Sequence, residues 1–300
     1  SARNAAIPSV NCAGDSAPVG STSIRTTAVL MPVSLATHRP GPESEEVIDE
    51  RDRPPGTALA VAAAPSCVPR LLRLPAGVET HSAYLADGGY QLIDNVEALL
   101  NEVELSGLLG RGGAAFPLAV KLRTVRDAHL RGHETVVVAN GEEGEPASVK
   151  DRWLLRHRPH LVLDGLRLAA RMVGAARAWV YVSDPAAAAA VDSALAEVGF
   201  DTLGGIQISV ATVEPGYVAG EETAAVRAIN GGPAKPTDKP PRPFQHGVAD
   251  HPTLVSNVET LANLPYLHRH GSGEFRSAGT PTSPGTFLMT VTGAGRAPAL

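Results

Sequence analysis

The sequence predicts an α/β fold, a parallel sheet with flanking helices. Short β-branched runs alternate with amphipathic stretches from Thr135 onward. The first run, Thr135–Asn140, is a short β-branched stretch as expected of a buried parallel strand. Glycine- and carboxylate-rich turns follow the strand ends, where such sheets bind ligands. The chain has 300 residues, 43% hydrophobic but only 4% aromatic, so Ala, Val and Leu must build the core.

Residues 1–75 are rich in Ala, Pro, Ser and Gly, carry an acidic patch at Glu43–Glu50 and show poor periodicity. They read as low-complexity and disordered. Residues 76–285 read as one α/β domain. In "LIDNVEALLNEVEL", Leu92, Val96, Leu99, Leu100 and Val103 recur at helical intervals. Pro117 opens a second helix, where proline is tolerated. "TVVVAN" (Thr135–Asn140) is a strand, "PHLVLDGLRLAARMVGA" a helix and "AWVYVS" (Ala178–Ser183) a second strand. "PAAAAAVDSALAEVG" is a helix that Gly199 would stop. "IQISVATV" (Ile206–Val213) is the third strand, and "PGYVAGEETAAVRAI" turns through glycines into a helix. The proline-rich "GGPAKPTDKPPRPF" leads to "TLVSNVETLANLPYL", with a helix start at "SNVET". The strand-like "GTFLMTVTG" precedes Leu300, so residues 286–300 read as the first strand of a further, cut-off domain.

Several classes are excluded. A net charge of −5 supplies no basic field for nucleic acid. No apolar run reaches about 18 residues, so no membrane span is expected. Cys12 and Cys67 lie far apart and outside any C-x-x-C, which rules out a complete thiolate cluster within the chain and leaves reduced, intracellular cysteines as the default. His157 with His160 and His268 with His270 read as solvated or capping residues, and no metal site is expected. No G-x-S-x-G, Walker or H-E-x-x-H motif occurs.

The chemistry must therefore sit in four segments. "GLLGRGGAAFPLAVKL" (Gly107–Leu122) places Gly110, Gly112 and Ala115 in a formal G-x-G-x-x-A. A helix precedes it rather than a strand, so it is not the usual dinucleotide fingerprint. Two readings stay open. The amides, Arg111 and Lys121 could cradle an anion, or the segment is a plain helix–helix turn. In "NGEEGEP", Glu142, Glu143 and Glu145 could accept hydrogen bonds from ligand hydroxyls or form a solvated acidic turn. In "EPGYVAGEET", Glu221 and Glu222 could face a ligand or favour a helix dipole. In "SNVET", Ser256 or Asn257 could simply cap a helix.

Taken in order, "GLLGRGGAAFP…K", "VVVANGEEGEPASVKDR", "GYVAGEETAAVRAINGGPAKP…KPP" and "PTLVSNVETLA" resemble the NADH-binding flavoprotein subunits of respiratory complex I. Related subunits occur in NAD-linked hydrogenases and formate dehydrogenases. The resemblance runs from about Asp94 to the C-terminus. It implies a Rossmann-like sheet, FMN as cofactor, NADH as electron donor and a β-grasp-like domain beginning at residue 286. It places a 4Fe-4S cluster only in a missing C-terminal part or a partner. The implied partner is an iron–sulfur or ferredoxin-like electron-transfer subunit. The implied location is cytoplasmic, with peripheral membrane attachment through partner subunits as the alternative.

By the same resemblance, Gly110, Arg111, Gly112 and Lys121 form the FMN loop. Asn140, Glu142, Glu143, Gly220, Glu221 and Glu222 face the flavin. Asn257 and Thr260 stand on its phosphate side. Phe116, Glu145, Lys239 and Arg242 face the dinucleotide, Glu145 orienting the nicotinamide. No catalytic side chain is implied.

The chain also departs from the family. Glu142 replaces an aspartate, Ser256 the first of two asparagines, and Ala219 a cysteine. Thr124 and Arg242 stand where adenine-stacking aromatics are expected, and Phe244 could supply the missing ring. The reading is an FMN-dependent NADH dehydrogenase module. A non-enzymatic FMN electron relay with a degenerate nucleotide site is the alternative, and a scaffold that has lost its flavin is a third possibility.

Overall fold

The computed structural model describes residues 25–32, 46–47, 59–63, 68–72, 77–145 and 147–293. Its central sheet contains β4 (Val136–Asn140), β5 (Arg177–Val182), β6 (Gln207–Thr212) and β7 (Thr253–Asn257), all parallel, in the order β6-β5-β4-β7. The chain steps outward from β4 to β6, then returns to pair β7 on the other side of β4. That reversal makes the carboxyl ends of β4 and β7 a topological switch point, where open α/β sheets bind ligands. Side chains along β4 alternate between two apolar layers. Val137 and Ala139 join the larger core, and Val136 and Val138 the smaller one.

Helices α2 (Val96–Ser106), α3 (Leu118–Leu130), α5 (Pro159–Val173) and α6 (Pro185–Glu197) supply the larger layer. Their ends follow local chemistry. Asn95 caps α2 by accepting from Ala98 N–H at 3.0 Å, and Gly107 ends it at φ 65°. Pro117 immediately precedes α3. Asp184 caps α6 through Ala187 N–H. Helix α7 (Glu222–Ile229) packs Ala225 and Val226 into the smaller layer. Helices α1 (His81–Ala86), α4 (Lys150–His157), α8 (Val258–Ala262) and α9 (Leu264–Phe275) complete the domain.

Several expectations need correction. The sequence pattern does not reveal β7, because "TLVSN" runs straight into α8 with no turn between them. α6 ends at Val198 in an extended conformation, so Gly199 is not its stop. His157 and His160 are buried rather than solvated. His160 sits between the Tyr90 hydroxyl at 3.1 Å and Glu197 at 3.3 Å. Within residues 1–75, β1 (Arg25–Pro32), β2 (Glu46–Val47) and β3 (Leu59–Ala63) are strands. Residues 68–72 are described too, with Leu71 and Leu72 buried in the core; the rest of that expectation, with Cys12 and Cys67, lies outside the described residues. β8 (Thr286–Gly293) is a strand, and it pairs antiparallel with β1 in a sheet ordered β2-β3-β1-β8. Residues 294–300 lie outside the described residues.

β8 also docks on the central domain. Leu288 N–H donates to Glu259 at 2.7 Å, and Val149 N–H to the Thr290 hydroxyl at 3.0 Å.

Gly165 fixes how closely α5 and α8 approach. A Cβ there would lie 2.1 Å from the Leu261 carbonyl oxygen. In an ordinary helix, Gly→Ala gains about 1 kcal/mol. Here the obstacle is backbone, and Gly165→Ala is expected to cost about 1–3 kcal/mol by overpacking. A lower urea midpoint at unchanged slope is the expected result. An unchanged or higher midpoint would show that α8 is free to shift.

Candidate functional site

Asn140 and Asn257 are register partners at the carboxyl ends of β4 and β7. A cleft of about 420 Å³ opens above them. One wall is the glycine loop, closed on itself by Gly110 N–H to Phe116 O at 2.9 Å and Leu118 N–H to Leu108 O at 3.0 Å. The loop is held down by Arg111 N–H, which donates to the Thr260 hydroxyl at 2.8 Å. Gly113 has φ +102° and Ala115 φ 49°, which turn the peptide planes along the loop. The amides of Gly112 through Phe116 meet no acceptor among the described residues. Space at Gly112 is tight: a Cβ there would lie 3.1 Å from the Cβ of Asn257, which would have to yield by a few tenths of an ångström. Unpaired amides on a cleft wall beside the start of α3 are suited to bind an anion.

The other wall is charged. Lys121, in the second turn of α3, donates to Val255 O at 3.1 Å and lies 3.5 Å from Glu222. Lys239 bridges Glu221 and Glu222, and Arg242 stands 4.0 Å from Glu222. Three cations thus surround two carboxylates. Glu221 caps α7 through Thr223 and Ala224 N–H groups. Burial pushes its carboxyl up, but Lys239 and Thr223 outweigh that and leave it below the usual carboxylate range. Burial lowers Lys239, and its two carboxylates reverse the effect. Asn140 donates to Gly220 O at 2.7 Å, tying the end of β4 to the Gly220 turn.

A second pocket of about 210 Å³ adjoins the cleft and shares Phe116, Lys121, Glu222, Arg242 and Val255 with it. Its remaining walls include Val120, Thr124, Val125, Phe244 and Leu254. The Phe116 and Phe244 rings are 46% and 38% exposed, leaving apolar surface for a flat ligand.

The structure brings Gly110, Gly112, Phe116, Lys121, Asn140, Gly220, Glu221, Glu222, Lys239, Arg242, Asn257 and Thr260 around the cleft. Four expected site residues point elsewhere. The Arg111 guanidinium donates to Pro284 O at 3.0 Å instead of facing the cleft. Burial lowers its pKa, and Glu259 opposes that shift. Glu142 is buried, and its longer side chain accepts from Gly216 N–H at 3.2 Å beneath the Glu214–Thr223 turn. Glu143 holds the start of α4, accepting from Ser148, Asp151 N–H and Arg152. Glu145 is exposed and does not line the cleft. Sequence reasoning missed Asp151, which accepts from the Asn257 amide at 2.7 Å. The only signal was the charged "KDR" that opens α4.

Among the described residues, no group of His, Cys, Asp and Glu is arranged to hold a metal. None of their helices is long and apolar enough to cross a membrane.

Residues 103–266 match the family model described as the Nuo51 FMN-binding domain. The chain is 34% identical over 236 residues to an NADH-quinone oxidoreductase subunit of Rhizobium meliloti (strain 1021), covering 73% of this chain and 56% of the relative. It is 34% identical over 233 residues to an NADH-quinone oxidoreductase subunit of Aquifex aeolicus (strain VF5), covering 72% and 54%. The chain therefore spans about half the length of these curated relatives. Among solved structures, an NAD+-reducing [NiFe]-hydrogenase in the air-oxidized state matches with a TM-score of 0.58 and 32% identity, covering 65% of this chain and 37% of that one.

Thr260 is the acceptor that anchors the glycine loop. Thr260→Val keeps the volume and removes the hydroxyl, and is expected to cost about 1–3 kcal/mol in urea unfolding. Thr260→Ser should retain most of that stability. A loss in Thr260→Ser with none in Thr260→Val would instead assign the role to the methyl group.

Proposed function

The chain belongs to the Nuo51 FMN-binding domain family, and from that premise we propose that its cleft holds FMN and its side pocket the adenosine half of NADH. The module would take hydride from NADH and pass electrons to an iron–sulfur partner subunit or cluster domain. The observation that carries this reading is the anion cradle at the β4–β7 switch point, with a flat-walled pocket beside it. The residues fit the cofactor. The unpartnered Gly112–Phe116 amides and Lys121 suit a phosphate. Space that a Cβ at Gly112 would fill lets the loop approach Asn257 closely. Asn140 and Glu221 offer polar atoms along the cleft.

The chemistry supplied by bound FMN is acceptance of a hydride and release of electrons singly. The side chains position and neutralise. Lys121 offsets phosphate charge, as does Lys239 for the nucleotide. Glu221 and Glu222 keep both lysines oriented. Arg111 acts through its backbone and its anchor on Pro284. Glu142 and Glu143 set the loops rather than touching the flavin. Glu145, exposed in the loop after β4, would have to turn toward the cleft to orient the nicotinamide. The side pocket favours the dehydrogenase over a pure electron relay, since a relay needs no nucleotide seat. An NADH donor supports a cytoplasmic location, with membrane attachment made through partner subunits.

The test is reconstitution. The chain should bind FMN in preference to FAD, and NADH should bleach the bound flavin under anaerobic conditions. Lys121→Ala removes a charge-assisted contact worth about 1.5–3 kcal/mol, so FMN affinity should fall ten-fold or more. The loss of affinity should be felt most at low salt. A Lys121→Ala variant that retains flavin like the wild type would remove the cradle from the phosphate.

Arg242 sits beside Glu222, which already neutralises part of its charge. It is therefore expected to act as a flat stacking surface, not as a reader of a 2′-phosphate. Stopped-flow reduction should favour NADH over NADPH, and Arg242→Phe should tighten NADH use. A wild-type preference for NADPH that Arg242→Phe abolishes would reverse this assignment.

A further inference from the structure

We propose that Asp151 is a positioning residue for the cradle: its carboxylate holds the Asn257 amide in the one orientation that caps α8 and braces the glycine loop, so that FMN retention depends on Asp151 being ionised. The link to FMN rests on the preceding reading. The link to Asn257 rests on the structure alone.

Asn257 has both ends of its amide committed. Its oxygen accepts from Glu259 N–H at 2.9 Å, and its nitrogen donates to Asp151 Oδ2 at 2.7 Å. A flipped amide would set donor against donor at Glu259 and oxygen against oxygen at Asp151. The held amide caps α8, whose Thr260 hydroxyl accepts from Arg111 N–H at 2.8 Å. Through that helix, Asp151 reaches the loop whose amides form the cradle; Asn257 and Gly112 line the same cleft.

Asp151 is 4% exposed. Lys150 Nζ reaches its other oxygen at 2.7 Å and Glu259 at 2.9 Å. Glu143 approaches from the β4–α4 loop, accepting from Asp151 N–H and from Arg152. Three carboxylates, Glu143, Asp151 and Glu259, thus share Lys150 and Arg152. Burial raises the Asp151 carboxyl to about 6. Lys150 opposes this, and Glu143 and Glu259 reinforce it. Burial lowers Lys150, but its two carboxylates carry it above its ordinary value, so it stays charged.

Well above that pKa, Asp151 is a carboxylate and can accept from Asn257 and Lys150 together. As pH falls through about 6, a proton on Oδ2 meets the Asn257 N–H and the brace is lost. A carboxyl with its ordinary pKa would keep the brace far lower.

The experiment follows the Asn257 side-chain amide by NMR in the flavin-free chain, alongside FMN affinity by fluorescence quenching, between about pH 5 and pH 8. The expected result is an amide inflection near 6, absent in Asp151→Asn. In that variant, FMN should bind about ten-fold more weakly even at high pH. Asn257→Ala should lose a similar factor, and the double variant little more. The FMN phosphate itself titrates near pH 6, and Asp151→Asn shows that contribution alone. A flat amide resonance in the wild type overturns the proposal, and needs no variant that might fail to fold. Wild-type FMN affinity in Asp151→Asn overturns it too. If no FMN binds at any pH, the preceding reading fails, and the amide inflection still decides the role of Asp151.

Discussion

β7 lies against β4 with Asn140 opposite Asn257, and most of the site follows from that pairing. It brings the β4 loop and the first turn of α8 to one edge of the sheet. Asn257 ends the strand and caps the helix with the same side chain. Thr260, one turn of helix later, then stands under the glycine loop and receives Arg111 N–H. Without β7 beside β4 the loop would have no floor. The approach of α5 at Gly165 keeps α8 at this height, because only a residue without Cβ allows the Leu261 carbonyl so near.

The electrostatics of the cleft are those of a site prepared for an anion but not left bare. Unpaired cations in a partly buried groove would repel one another and recruit solvent ions. Here Glu221 and Glu222 hold Lys121, Lys239 and Arg242 in place, so the groove keeps a small positive surplus. Free backbone amides add partial charge with no desolvated ammonium to bury. Beneath this, the surplus is reversed. Glu143, Asp151 and Glu259 outnumber the cations they share, and that imbalance with burial raises Asp151.

The sequence made β4, β5 and β6 legible because each is a short run rich in β-branched or aromatic residues and lies between helical patterns. It hid β7 because Asn257 serves two elements, leaving no glycine or proline to mark the boundary. The glycine loop was visible as a cluster, and Lys121 as the cation one helix turn beyond it. Orientation was not visible. Arg111, Glu142 and Glu143 have the right chemistry for a ligand, yet Pro284, Gly216 and Ser148 claim them, and those partners are distant or unremarkable in the sequence. Asp151 was missed for a similar reason: its importance lies in a hydrogen bond to a residue 106 positions away. The strands before residue 75 were hidden by a composition that reads as featureless.

The docking of β8 gives the cleft a mechanical neighbour. Glu259 offers one oxygen to Leu288 N–H and the other to Lys150. Peeling β8 away would take a donor from a buried carboxylate that shares its lysine with Asp151. The outer sheet therefore acts as a counterweight: its attachment sets how firmly Lys150 is shared, and hence how much of that charge remains for the residue beneath the cradle. A disturbance at this remote edge would register as an electrical change under the glycine loop, without any ligand-facing atom having been moved first.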